Sequence, residues 1–93
     1  MKFEWDESKK ISNLEKHGIS FEEAKTVFDN PLAAIFDDPQ HSIGEIREII
    51  IGHSNQNQLL LVSFTERAGV IRIISARLAT RKEGENYEQN RFG

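Results

Sequence analysis

Between residues 46 and 77 the chain is three apolar runs, Ile46–His53, Gln58–Arg67 and Val70–Arg77, divided only by Ser54–Asn57 and Ala68-Gly69. Connectors this short cannot carry a crossover, which takes roughly a dozen residues or more, so neighbouring runs must pair antiparallel. The runs are rich in valine, isoleucine, leucine and phenylalanine and are bounded by polar turn residues, the pattern of a β-meander. A sheet of this kind has to bury an apolar face against another layer. The segments on either side carry the helical spacing that can supply one.

Lys2–Trp5 reads as a short strand or an extended lead-in. Asp6 caps a first helix through about Lys16, with Ile11 and Leu14 turned inward and Gly18 just past its end. Ser20-Phe21-Glu22-Glu23 fits a capping box and opens a second helix, with Phe21, Ala24, Val27 and Phe28 on one face and a stop at Asn30-Pro31. Leu32–Phe36 is a short apolar strand, and Asp37–Gly44 is a polar loop. Thr80-Arg81-Lys82-Glu83 is a second capping box, opening a helix to about Arg91. That helix is weakened by Gly84 and is polar nearly all round, with Tyr87 and Phe92 its only large apolar residues. Residues 1–93 are therefore expected to form one α+β domain, with an antiparallel sheet of about four strands, two N-terminal helices and one C-terminal helix.

The absence of cysteine excludes a disulfide framework, a thiol nucleophile and cysteine-based metal sites. His41 and His53 have no metal-ligand spacing, so no metal or other cofactor is expected. Met1-Lys2-Phe3-Glu4-Trp5-Asp6 lacks the apolar run of a signal peptide, and Leu59–Val62 is too short to span a bilayer; a cytoplasmic protein with no membrane partner is expected.

The formal charge is −3, yet residues 66–82 hold five bases against one acid. Phosphates respond to such local charge rather than to the total. Ser75 and Arg77 lie two apart on one strand face, as do Thr65 and Arg67 on the neighbouring strand; Arg72 points the other way unless a bulge intervenes. Arg81 and Lys82 occupy the first turn of the last helix, where the macrodipole disfavours cations, and Lys9 and Lys10 do the same on the first. Lys16 and His17 end the first helix, where cations are favoured. This grouping suits phosphate binding, with His17 a possible acid or base. It equally suits arginines paired with helix carboxylates such as Glu15, Glu22 and Glu83. Glu66 and Glu83 can each be a proton acceptor or an arginine partner. Tyr87 can donate a proton, stack on a base, or simply anchor its helix.

Phe3-x-Trp5-Asp6-x-x-Lys9, Asn13-x-x-Lys16-His17-Gly18-Ile19-Ser20-Phe21-Glu22-Glu23-Ala24 and Val27-Phe28 are followed in order by Glu45-x-Arg47, Gly52 and Thr65-Glu66-Arg67. Ile71-Arg72-Ile73-Ile74-Ser75-Ala76-Arg77, Ala79-Thr80-Arg81-x-Glu83 and Tyr87 complete the series. In these motifs the chain resembles the BrnT family of bacterial type II toxins. The resemblance implies a RelE-like fold, endoribonuclease activity, and growth arrest through cleavage of cellular RNA. It also implies a BrnA-type antitoxin partner through which the complex binds operator DNA. On that reading Arg77 and Arg67, with Arg72 and Arg81 behind them, stabilise phosphate; His17 or Glu66 is the base and Lys9 assists. Ser75, Arg81, Lys82 and Lys16 contact RNA phosphates. The alternative is a binding module without catalysis, which accepts an acidic antitoxin segment or nucleic acid. At Gly84-Glu85 the chain departs from the family, where basic residues are common.

Overall fold

The computed structural model describes residues 1–92 and the side chains of residues 1–89. In chain order the elements are β1 (Lys2–Glu4), α1 (Glu7–His17), α2 (Phe21–Thr26) with a 3₁₀ turn at Val27–Asp29, and β2 (Ala34–Asp37). A second 3₁₀ turn at Pro39–His41 follows, then β3 (Glu48–His53), β4 (Leu59–Arg67), β5 (Val70–Leu78) and α3 (Arg81–Phe92). The sheet order is β1-β5-β4-β3-β2. β2 to β5 are antiparallel, as the short connectors require. The sheet nevertheless has five strands rather than about four, and it is mixed, because β1 pairs parallel with β5 through Lys2↔Val70 to Glu4↔Arg72. Nothing local in three residues names that distant partner.

The helix ends follow their capping residues. The Asp6 carboxylate accepts from the Ser8 and Lys9 amides at 2.9 and 3.1 Å. Gly18 closes α1 at φ 70°, a conformation that glycine adopts without a Cβ penalty. Ser20 Oγ accepts from the Glu23 amide at 3.0 Å. At α3, Thr80 Oγ1 accepts from the Glu83 amide while Glu83 Oε1 accepts from the Thr80 amide, a reciprocal capping box.

Two apolar layers sandwich the sheet. On the α1/α2 side, Ile19, Phe21, Ala24 and Val27 pack on Ile50, Leu60, Val62, Phe64, Ile71, Ile73 and Ala76. Phe28 meets Phe3 and Phe64 edge-on at 5.2 and 5.0 Å. On the α3 side, Tyr87 packs with Ile51 and Leu61, and its hydroxyl donates to the Leu32 carbonyl at 2.7 Å. That residue therefore anchors α3, which has no other described large apolar side chain; the side chain of Phe92 lies outside the described residues. Gly52 is set by space, since a Cβ there would lie 2.7 Å from Ala33 Cβ.

One expectation about α1 is overturned. Ile11 and Leu14 are more than half or half exposed, at 57% and 50%, and Asn13 is the residue buried against the sheet. Its Nδ2 donates to the Ile19 and Ala76 carbonyls, and its Oδ1 accepts from the Ala76 amide. β1 extends only to Arg72 along β5, so the backbone of Ala76 needs another partner. The helix supplies it with an amide in place of an apolar contact.

Candidate active site

The strand β5 carries one residue more than β4 between two paired positions: Phe64 faces Ile73, and Ser63 faces Ser75. Ile74 is the extra residue of a β-bulge, which reverses the alternation of everything after it. Arg72 opposite Thr65, Ser75 opposite Ser63 and Arg77 opposite Leu61 therefore share one sheet face. That face is the α3 side, and Arg67, two residues past Thr65, belongs to it as well.

Asp38, His41, Arg47, Ser63, Ser75 and Arg77 line a cavity of about 310 Å³ on this face, floored by Ile49, Leu61 and Ile74. Ligand pockets run from about 300 to 1,000 Å³, so it is of a size for one small polar group or a single nucleotide unit. Arg77 is fixed by Glu83, with Nη1 to Oε1 at 2.7 Å and Nη2 to Oε2 at 2.8 Å, and Nη1 also donates to the Leu78 carbonyl at 3.2 Å. A guanidinium has five N–H groups. The carboxylate occupies the end-on fork, and the side fork of Nε–H and the second Nη2–H remains for an anion. The Arg47 Nε is buried without a hydrogen bond, its nearest carboxylate oxygen being Glu45 Oε1 at 3.9 Å.

The loop bearing His41 is tied to Arg47. The Asp38 amide donates to the Arg47 carbonyl at 3.0 Å, and the Arg47 amide donates to Ser42 Oγ at 3.0 Å. His41 Nδ1 lies 3.1 and 3.0 Å from the two carboxylate oxygens of Asp38.

Ile74 and Ser75 also line a second, smaller cavity of about 180 Å³ with Lys9, Ser12, Asn13, Lys16 and His17. The bulge thus stands between the arginine cavity and the cationic end of α1. Lys9, Lys16 and His17 have no ion pair or side-chain hydrogen bond among the described residues, whereas Lys10 is paired with Glu22 at 2.7 Å. Arg67 and Arg72 line a third cavity with Glu4, Glu45, Thr65 and Val70. Arg72 is held by Glu4 at 2.8 Å and Arg67 by Glu45 at 3.5 Å, so this end of the face is close to neutral. Glu66 pairs with Ile71, whose side chain is in the α1/α2 core, and is not brought to Arg77. Arg81 is 94% exposed and faces Glu85 at 3.4 Å, so the acidic departure at Gly84-Glu85 partners a cation at the start of α3; Lys82 is exposed and lines none of these cavities. Of the three helix carboxylates considered as arginine partners, Glu83 is one and Glu22 pairs with a lysine.

Among the residues of the central cavity, the sequence marks Ser75 and Arg77 as phosphate contacts, but Asp38, His41, Arg47 and Ser63 have no such role legible in it. Arg47 carried a signal, since it keeps step with Ile49 and Ile51 on the face opposite Ile50. The histidine and aspartate sit in a loop with no periodicity to place them. Among the described residues no group of three or more histidine, aspartate or glutamate side chains could hold a metal ion, and no helix is long and apolar enough to cross a membrane.

The Arg77 guanidinium holds the Glu83 carboxyl down at about 2, with the Thr80 amide adding to the effect. Glu83 is therefore a carboxylate that positions Arg77, and a poor proton acceptor at neutral pH. Because its pKa is lowered on folding, its stabilisation is complete above the ordinary carboxylate range and is lost as pH falls through about 2. Glu83→Gln is expected to cost about 1–2 kcal/mol at pH 7, allowing for solvent screening of the half-open pair. Urea unfolding of both proteins at pH 7, 4 and 2.5 should show that gap closing toward acid.

A sequence profile described as the ribonuclease toxin BrnT of type II toxin–antitoxin systems matches residues 5–83. Among solved structures, the chain is similar to the ribonuclease toxin BrnT of Brucella abortus, seen in a crystal structure at 1.1 Å resolution. The identity is 27% and the TM-score 0.69, over 87% of this chain and 99% of that one. No curated protein matched the sequence.

Proposed function

Because the chain belongs to the BrnT family of type II toxin–antitoxin ribonuclease toxins, we propose that it is a metal-independent endoribonuclease that cleaves cellular RNA in the cytoplasm and arrests growth. The observation that carries this reading is the bulge at Ile74, which gathers Ser75 and Arg77 into one cavity with Arg47. RNA supplies its own nucleophile in the ribose 2′-hydroxyl. A base takes the hydroxyl proton, the 2′-oxygen attacks phosphorus, and the bond from phosphorus to the 5′-oxygen breaks. The products are a 2′,3′-cyclic phosphate and a 5′-hydroxyl. Negative charge builds on the non-bridging oxygens during attack, and the guanidinium fork of Arg77, already held by Glu83, stabilises it without reorganisation.

The scissile phosphate sits on the side fork of Arg77, with Arg47 across the cavity and Ser75 donating from the bulge. Lys9, Lys16 and His17 take a neighbouring phosphate of the same strand, on the other side of Ser75. Arg67, Arg72, Arg81 and Lys82 serve as outer contacts, since each of the three arginines is already paired with its own glutamate. A BrnA-type antitoxin covers this face and carries the toxin to operator DNA.

Purified chain incubated with labelled RNA in excess chelator is expected to leave cyclic-phosphate or 3′-phosphate ends. Intact RNA with a salt-sensitive gel shift would instead favour a module that binds without cutting.

A further inference from the structure

From the cavity geometry we infer that His41 is the catalytic base of the RNA cleavage and that Asp38 is the residue that positions it, an inference that rests on the ribonuclease reading of the same cavity. A carboxylate can only accept hydrogen bonds, so both Asp38 oxygens at 3.0–3.1 Å fix Nδ1 as the N–H nitrogen of His41. The lone pair is then on Nε2, the outer nitrogen of the ring. Imidazole is the side chain best suited to moving a proton near neutral pH.

The pair is built rather than incidental. Asp38 is 15% exposed at its side chain while His41 is 63% exposed, so the carboxylate is enclosed and the imidazole is presented to solvent. The Asp38 carbonyl accepts from Ser42 Oγ at 2.7 Å and from the His41 amide at 3.2 Å, which closes the 3₁₀ turn. The same segment is bound on both sides to the backbone of Arg47. Base and positioning carboxylate are therefore tied to the backbone of Arg47, and all three residues line one cavity with Ser63, Ser75 and Arg77.

The other proton acceptors fit less well. Glu83 is committed to Arg77 and to the Thr80 amide. Glu66 keeps step with the opposite sheet face. His17 lines the cavity beyond the bulge, with the lysines of α1. In the step assigned to His41, Nε2 takes the 2′-hydroxyl proton as the bond from the 2′-oxygen to phosphorus forms. The 5′-oxygen leaves with its electron pair and is protonated by water, and the imidazolium returns its proton to solvent.

The test uses the full chain, an RNA oligonucleotide, and the same oligonucleotide with a 2′-deoxy substitution at the cleavage position as an uncleavable probe. His41→Gln is expected to lower kcat by about 10²–10⁴-fold, with affinity for the probe and the thermal midpoint unchanged. His17→Gln is expected to raise KM more than it lowers kcat. Asp38→Asn should lower kcat with KM unchanged, and should cost nothing further in the His41→Gln background, as two groups acting as a unit do. Wild-type kcat in His41→Gln, or loss of cleavage only in proportion to lost binding or folding, would overturn the assignment and leave the ribonuclease reading standing. An additional loss from Asp38→Asn in the double variant would overturn its positioning role. A wild-type chain that does not cut RNA would remove both readings.

Discussion

Arg77→Ala is expected to lower kcat/KM for RNA cleavage by about 10²–10³-fold, the usual consequence of removing one fixed donor to a developing oxyanion. The expectation follows from how this side chain is held. Glu83 occupies the end-on fork and the Leu78 carbonyl takes a third N–H, so the guanidinium cannot rotate and its side fork stays open to the cavity. A phosphate arriving there meets a donor pair already in place, and the ordering cost has been met in folding. Arg77→Lys should recover little, because an ammonium keeps the charge and loses the planar fork. Both variants should fold. The pair with Glu83 is half open, and its loss costs about 1–2 kcal/mol against a domain stability of roughly 5–15 kcal/mol. Growth inhibition measured at matched protein levels, beside single-turnover cleavage of RNA, checks the claim. Unchanged cleavage by Arg77→Ala would remove the site as drawn.

What the sequence disclosed about this site, and what it withheld, divides along the range of the interactions. Asp6, Ser20 and Thr80 act on amides two or three residues away, so the helix starts could be read directly. The meander was equally open, because connectors of two and four residues leave no other pairing. The parallel strand β1 was not, since three residues have too little pattern to identify Val70–Arg72 as their partner. The bulge was hidden for a related reason. Arg72 and Arg77 are an odd number apart, so strict alternation puts them on opposite faces, and only the register against β4 shows the extra residue. His41 and Asp38 come together through a single turn of 3₁₀ helix whose place is set by hydrogen bonds to Arg47. Ile11 and Leu14 misled by composition: an apolar pair in an amphipathic helix reads as a buried face, yet the demand of the sheet edge for hydrogen bonds turned Asn13 inward instead.

That inward asparagine carries a large expected stability effect, and one made by hydrogen bonds rather than by apolar burial. Asn13 is 6% exposed and makes three hydrogen bonds, donating to the Ile19 and Ala76 carbonyls and accepting from the Ala76 amide. Asn13→Ala removes all three and leaves a buried amide and two carbonyls without these partners. Each unsatisfied buried group costs about 1–3 kcal/mol, and water entering the gap would offset part, so a net loss of about 3 kcal/mol is expected. For a domain of this length that lowers the thermal midpoint by about 12–24 °C. Asn13→Asp separates hydrogen bonding from size. An aspartate can accept from the Ala76 amide but sets a negative charge against two carbonyl oxygens, so it should be more destabilising at pH 7 than at pH 4, where a protonated carboxyl can donate once. Calorimetry at the two pH values reads the difference, and equal midpoints for Asn13→Ala and the wild-type chain would show that the clamp contributes nothing. Ala76 lies between Ser75 and Arg77, and the same helix presents Lys9, Lys16 and His17 to the far side of Ser75. The clamp therefore sets the spacing between the two cationic cavities. Asn13→Ala should weaken binding of RNA long enough to span both cavities more than binding of a dinucleotide, measured well below its midpoint.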